Sequence, residues 1–122
     1  MSRIRHRACV PGCSVETTLS LIDGKWKGVV LFHLLLRGTL RFNEIRRRIP
    51  NVTQRMLTKQ LRELEADGLI LRKVFAEVPP RVEYSLSVRG KSLEPVILAL
   101  KEWGEANRER EVPEAASEQR AA

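Results

Sequence analysis

The spacing of apolar residues changes along this chain, and the change limits the folds that are open to it. Up to residue 67 the apolar residues recur at intervals of three and four, as on one face of an α-helix. Beyond Gly68 the interval becomes two, as in a half-buried β-strand. The alternation is clearest at Val82, Tyr84 and Leu86. This pattern predicts a mainly α-helical domain that carries a small β-hairpin.

Turn-forming residues divide the helical part into four segments. The first three predicted helices span residues 15–22, 25–36 and 42–49. Pro50 ends the third, because proline cannot donate a helical hydrogen bond. Thr53 is suited to cap a fourth helix, since its hydroxyl can accept a hydrogen bond from an unpaired backbone N–H. That helix is expected to end near Asp67, where Gly68 supplies a left-handed residue.

A hairpin and a last helix complete the predicted domain. The strands lie within residues 69–75 and 82–86, and the loop between them contains two consecutive prolines that cannot join a ladder. The last helix begins at Ser87 or Val88, with Gly90 and Pro95 weakening its start. We expect residues 1–14 to form a basic arm, 15–108 the domain and 109–122 a flexible polar tail.

Positive charge is concentrated in the middle of the chain. The 122 residues carry a formal net charge of +7, which fits nucleic acid, an anionic membrane or simple solubility. Residues 37–73 contain ten basic side chains and only four acidic ones. This excess coincides with the third and fourth predicted helices and favours nucleic acid as the partner.

The fourth predicted helix has one apolar face and one cationic face. Leu57, Leu61 and Leu64 are spaced to point inwards. The opposite face groups side chains that can contact base edges or phosphates. These are Gln54, Arg55, Thr58, Lys59 and Arg62. A solvated helix face would look similar in isolation, and the surrounding basic residues decide in favour of DNA.

The order of elements predicts how this helix is presented. A helix-turn-helix followed by a two-stranded wing offers one helix to the major groove of duplex DNA. Further cations precede the helix and lie on the hairpin, where they are suited to phosphates. They include Arg46, Arg47, Arg72 and Arg81.

Several motifs, in this order, resemble the HxlR family of bacterial winged helix-turn-helix regulators, which are related to the MarR type. The motifs are Cys13-Ser14-Val15-Glu16, Gly24-Lys25-Trp26, the segment 41–47, the segment 56–69 and the segment 78–86. The resemblance covers residues 13–103, and it departs from the family pattern at Ser14, where proline is usual. It implies a sequence-specific transcription regulator with its fourth helix in the major groove and its wing tip, including Arg81, near the minor groove.

The resemblance also implies a homodimer joined through the first and last helices. Two-fold symmetry then predicts a pseudo-palindromic operator with half-sites about one DNA turn apart. An apolar stripe on the last helix needs a cover, and a second copy is the simplest one. The candidate interface residues are Leu19, Leu93, Val96, Leu100 and Trp103.

Two cysteines near the N-terminus are candidate sensors. Cys13 precedes a predicted helix, whose dipole and basic neighbours favour the reactive thiolate. The resemblance implies regulation by electrophiles or oxidants, and Cys13 matches the sensing position of some members. Cys9 is a candidate to resolve an oxidised Cys13, and a disulfide to the partner subunit is an alternative. Burial at a dimer contact is the alternative to a sensor role.

Other classes of function find little support in the sequence. No glycine-rich phosphate loop or nucleophile elbow suggests an enzyme or a cofactor. His6, Cys9, Cys13 and His33 match no structural zinc spacing. The apolar runs are too short to span a bilayer, so a cytoplasmic location is expected. A nonspecific DNA-binding protein and a winged-helix interaction adaptor remain the alternatives to a sequence-specific regulator.

Overall fold

The computed structural model describes residues 13–121, with side chains for residues 13–108. It confirms a mainly α-helical winged helix-turn-helix fold. The helices are α1 (Ser14–Ile22), α2 (Lys27–Arg37), α3 (Phe42–Arg48), α4 (Gln54–Ala66), α5 (Val88–Lys91) and α6 (Glu94–Ala121). The strands are β1 (Thr39–Arg41), β2 (Ile70–Phe75) and β3 (Arg81–Leu86).

The expected hairpin forms from β2 and β3, and a third strand, β1, joins it to make a three-stranded antiparallel sheet. Its order is β1-β3-β2, so β3 lies in the centre and pairs Tyr84 with Leu40 on one side and Arg72 on the other. The sequence predicts a turn at Thr39 and no strand there, because three residues are too few to show a period of two. Because α3 begins directly after β1, the pairing of β1 with β3 joins the start of α3 to the wing.

The core lies where α2, α3 and α4 meet the sheet. Leu31, Ile45 and Leu57 are wholly buried, one from each helix. Leu61 and Leu64 are buried beside Leu57, which confirms the predicted inward face of the fourth helix. Because one face of this helix is packed in the core, its opposite face has a fixed orientation relative to the rest of the domain.

The two ends of α4 form as predicted. Thr53 Oγ1 accepts a hydrogen bond from the Met56 backbone N–H at 3.0 Å. At the other end Gly68 has a φ of 76°, and the Leu69 N–H donates to the Leu64 carbonyl at 3.0 Å. Both interactions are local in sequence, which is why the limits of α4 could be predicted.

Two predicted helices differ in their limits. α2 begins at Lys27 and not at Lys25, because Gly24 adopts a φ of 84° and the chain bends before Trp26. The last helix is divided in two: α5 ends at Lys91, and α6 starts at Glu94. Pro95 then occupies the first turn of a helix, where its missing N–H leaves no hydrogen bond unmade.

The expected arm and tail lie at the two ends of the chain. The predicted basic arm lies outside the described residues up to residue 12, and Ser14 already belongs to α1. α6 extends to Ala121, through the segment that the sequence predicts to be a polar tail. The division into arm, domain and tail therefore stays a prediction. Among the described residues, no helix combines the length and apolar character that crossing a membrane requires.

Candidate DNA-binding surface

The cationic face of α4 lies on the surface, as its anchored leucines require. Gln54, Arg55, Lys59 and Arg62 are all exposed. Thr58 is half-buried, and its hydroxyl donates to the Gln54 carbonyl at 2.9 Å. The five side chains, joined by Glu63, line one shallow concave surface. The structure thus brings together the residues that the sequence proposes for the major groove.

The segment before α4 sets its position relative to α3. Ile49 and Val52 are buried in the turn between the two helices, and the Val52 N–H donates to the Ile49 carbonyl at 3.1 Å. Arg46 and Arg47 are exposed on the last turn of α3. Two cations therefore remain accessible beside the helix-turn-helix, where the sequence places phosphate contacts.

Glu63 connects the cationic face to the interior of the protein. Its Oε2 lies 2.8 Å from Lys59 Nζ, and its Oε1 lies 2.9 Å from Lys27 Nζ. Hydrogen bonds from Lys59 and then Lys27 lower the pKa of Glu63 from its ordinary value to about 2. Glu63 is therefore ionised at neutral pH, and Lys59 is already engaged with a carboxylate.

Lys27 is a functional candidate that the sequence reasoning missed. Its side chain is only 8% exposed, although the sequence shows it as an ordinary polar residue at the start of a helix. The Lys59–Glu63 pair has the i, i+4 spacing of helical ion pairs and was open to prediction. Lys27 lies far from Glu63 in the sequence, so no local pattern indicates their contact.

The wing carries the two remaining predicted cations, and both have partners within it or beside it. Arg72 Nε lies 3.3 Å from Glu65 Oε1. The Arg81 guanidinium stacks on the Phe75 ring, with its central carbon 4.0 Å from the ring centroid. Arg81 also lies between two carboxylates, at 3.3 Å from Glu77 and 3.4 Å from Glu83. Arg81, the predicted wing contact, therefore also makes contacts within the wing.

The predicted sensor lies partly within the described residues. Cys13 is half-buried directly before α1, and its carbonyl accepts a hydrogen bond from the Thr17 N–H at 2.9 Å. Cys9 and His6 lie outside the described residues. His33 packs edge-on to Phe32, and burial, with Arg48 and Arg37, lowers its pKa. In the described part of the chain, no three His, Cys, Asp or Glu residues group as metal ligands.

The proposed dimer residues divide into two groups. Leu93 and Val96 are half-buried, and Leu93 packs against the core of its own protomer. Leu19, Leu100 and Trp103 are exposed, Leu100 by 53% and Trp103 by 70%. An apolar groove between α2 and α6 runs beside Leu100 and includes Val29 and Phe32 among its lining residues. The protomer therefore leaves an apolar groove and several large apolar side chains uncovered.

Comparison with known proteins agrees with this architecture. The model of the HxlR-like helix-turn-helix family matches residues 21–112. The chain belongs to the HxlR-like helix-turn-helix family. The matched range includes α2, the helix-turn-helix, the wing and the first part of α6, so membership rests on nearly the whole described domain.

Relatives of this HxlR-like protein are transcription regulators. The HTH-type transcriptional regulator YybR of Bacillus subtilis (strain 168) is 59% identical over 98 residues, covering 80% of this chain and 78% of the relative. The redox regulator HypR in its reduced form is 60% identical with a TM-score of 0.74, covering 77% of this chain and 92% of that one. HypR in its oxidised form is 58% identical with a TM-score of 0.73, covering 77% and 96%. The predicted family and its general function, transcription regulation by a DNA-binding helix-turn-helix protein, are confirmed.

Proposed function

We propose that this HxlR-like regulator binds a pseudo-palindromic operator as a homodimer, with α4 of each protomer in the major groove. The observation that carries the proposal is the exposure of Arg55, Lys59 and Arg62 on a helix whose opposite face is buried. A helix held in this way meets base edges without rearranging its own domain. Selection of bound duplexes from a random pool tests the proposal, and we expect half-sites about 10 base pairs apart.

The surface residues have different roles in this arrangement. Gln54 and Arg55 lie in the first turn of α4, which enters the groove first, and both can pair with base edges. Arg46 and Arg47 are suited to phosphates, which position the protein without reading sequence. Arg81 is the proposed DNA contact of the wing, and its Nη2 and Nε lie beside Glu77 and Glu83.

Replacing Arg55 by alanine is expected to reduce sequence discrimination. If Arg55 forms a bidentate pair with guanine, the loss is about 1–3 kcal/mol at that base pair and little elsewhere. Arg72→Ala is the matched control, since it removes the same group from the wing and should weaken all duplexes alike. Fluorescence anisotropy with the selected operator and single-base variants measures both effects. An equal loss on every duplex for Arg55→Ala would assign Arg55 to a phosphate.

The homodimer accounts for the apolar surface of the protomer. Leu19, Leu100 and Trp103 are exposed, and an apolar groove lies beside Leu100; large exposed apolar surfaces usually mark interaction sites. A two-fold axis through this region would bury them against a second copy. It would also place two α4 helices on one side of the duplex, as a pseudo-palindromic site requires.

Cys13 is the proposed sensor of an oxidant or electrophile. The likeness to HypR, a redox regulator with a reduced and an oxidised form, supports a redox response. Cys13 lies at the start of α1, where the helix dipole favours a negatively charged sulfur. Two thiols lose two protons and two electrons to the oxidant when they form a disulfide, and the second thiol comes from Cys9 or from the partner subunit.

Treatment with diamide is expected to change operator affinity in the native protein and not in Cys13→Ser. Serine has nearly the same size and cannot be oxidised to a disulfide, so the substitution preserves the fold while it removes the chemistry. Cys9→Ser is the matched variant: it retains the response if the second thiol is Cys13 of the partner, and loses it if Cys9 resolves. An unchanged diamide response in Cys13→Ser would contradict the sensor assignment.

A further inference from the structure

An acidic side chain lies on the surface that we propose for DNA. Glu63 lines the same concave surface as Arg55, Lys59 and Arg62. A carboxylate on this surface repels DNA phosphates unless nearby cations neutralise its charge. The inference drawn below rests on the proposed binding of DNA by α4.

Two lysines on different sides of Glu63 neutralise its two oxygens. Lys59 Nζ lies 2.8 Å from Oε2, and Lys27 Nζ lies 2.9 Å from Oε1. The Lys59 side chain is 61% exposed, so it can turn towards a phosphate. Lys27 is enclosed at the start of α2, with Asp23 Oδ1 3.8 Å away, and cannot reach a ligand outside the protein.

The packing around Lys27 holds this arrangement in place. Gln60, one turn before Glu63, is buried and approaches the connection between α1 and α2. A Cβ at Gly24 would lie 3.4 Å from Gln60 Oε1, so the α4 side chains and this connection are in close contact. The fold therefore holds the Lys27 ammonium group beside Glu63 through contacts within the protein.

We propose that Lys27 is a positioning residue for DNA binding, which neutralises Glu63 from within the protein so that Lys59 can exchange Glu63 for a DNA phosphate. Without Lys27, Lys59 is the one close cation that Glu63 retains among residues 13–108. Lys59 then either stays on Glu63 and contributes no phosphate contact, or leaves an uncompensated carboxylate facing the duplex. Both outcomes weaken binding, and the first also removes about one phosphate from its salt dependence.

Substitution of Lys27 by methionine tests the proposal, because methionine has a similar shape and no charge. The probe is a fluorescent 30-base-pair duplex of mixed sequence, titrated between about 50 and 200 mM salt. We expect Lys27→Met to bind roughly five- to tenfold more weakly at 0.1 M salt, with a slope of log affinity against log salt that is smaller by about 0.9. Lys25→Met is the matched control: Lys25 is exposed, and its ammonium lies over Trp26 at 4.9 Å. It removes the same charge and should retain the native slope.

Removal of the carboxylate should reverse the effect. The double variant Lys27→Met/Glu63→Gln has no carboxylate at position 63 to hold Lys59. Its affinity for the duplex and its slope of log affinity against log salt should therefore return to native values or exceed them. A purely structural role of Lys27 would not be rescued in this way. Thermal unfolding of each variant confirms that the comparison is made between folded proteins.

Glu63→Gln by itself provides a test that does not depend on the folding of Lys27→Met. It should bind the mixed-sequence duplex roughly three- to tenfold more tightly than the native protein, since it frees Lys59. Glu102→Gln, an exposed site on α6, controls for net charge and should have little effect. Equal affinities of Lys27→Met and Lys25→Met, failure of the rescue, or no gain in Glu63→Gln over Glu102→Gln would overturn the inference. Failure of the native protein to bind any duplex would instead contradict the proposed function.

Discussion

Trp103→Glu is expected to convert the proposed dimer into a monomer and to lower affinity for the proposed operator by about a hundredfold or more. The indole is 70% exposed in the protomer, so the fold of the single chain has little need of it. In the proposed interface a glutamate would be buried without a partner, which is strongly unfavourable. The monomer would also lose the gain from holding two half-sites at once. Sedimentation velocity and anisotropy on the selected operator measure the two effects.

Trp103→Phe is the matched control for this prediction. Phenylalanine keeps an aromatic side chain on the α6 stripe, so the protein should remain a dimer and bind the operator within a few-fold of the native affinity. Circular dichroism of Trp103→Glu should show native helix content, since an exposed position contributes little to folding. A dimeric Trp103→Glu with native operator affinity would contradict the placement of the interface on α6.

Gly90→Ala is expected to destabilise the domain by about 3 kcal/mol or more and to lower its Tm by roughly 10–20 °C. A Cβ at Gly90 would lie 2.1 Å from the Leu69 carbonyl oxygen and 3.1 Å from Leu86 Cδ2. The Leu69 carbonyl accepts the Ser87 N–H at 3.1 Å, so it is held between the end of α4 and the start of α5. The added methyl group must therefore displace backbone, not a flexible side chain. Thermal unfolding by circular dichroism measures the shift.

Gly28→Ala is the control for the ordinary effect of adding a methyl group to a helix. Gly28 is the second residue of α2, and a Cβ there would meet no atom of its own protomer within 4 Å. Alanine is favoured over glycine within helices by about 1 kcal/mol, so Gly28→Ala should keep or raise the Tm. If Gly90→Ala unfolds at the native temperature, the close approach of α5 to Leu69 does not constrain the domain.

The helical elements that build the binding surface were largely open to prediction. Leu57, Leu61 and Leu64 have the spacing of a buried helix face, and their burial leaves Arg55 and Arg62 exposed. Such patterns are reliable because each depends on residues that are neighbours on one element. The short strand β1 was missed because its partner in β3 lies far along the chain, and three residues contain no period of their own.

The charges of the surface could be located from the sequence, but the sequence did not decide which nearby or distant groups they contact. Arg81 has the appearance of a free wing cation, yet it stacks on Phe75 across the hairpin and pairs with Glu77 and Glu83. Lys59 pairs with Glu63 at the i, i+4 spacing of helical ion pairs, whereas Lys27, the other partner of Glu63, lies far away in the sequence.

The sequence by itself determined the family, the helix-turn-helix with its wing, and the outward direction of the α4 cations. The contact of Lys27 with Glu63 and the close approach of Gly90 to Leu69 emerge only from the tertiary structure. The difference lies in how far apart along the chain the contacting residues are. Helical periodicity, caps and turns depend on residues a few positions apart, whereas these contacts depend on the angles and distances at which separate elements pack.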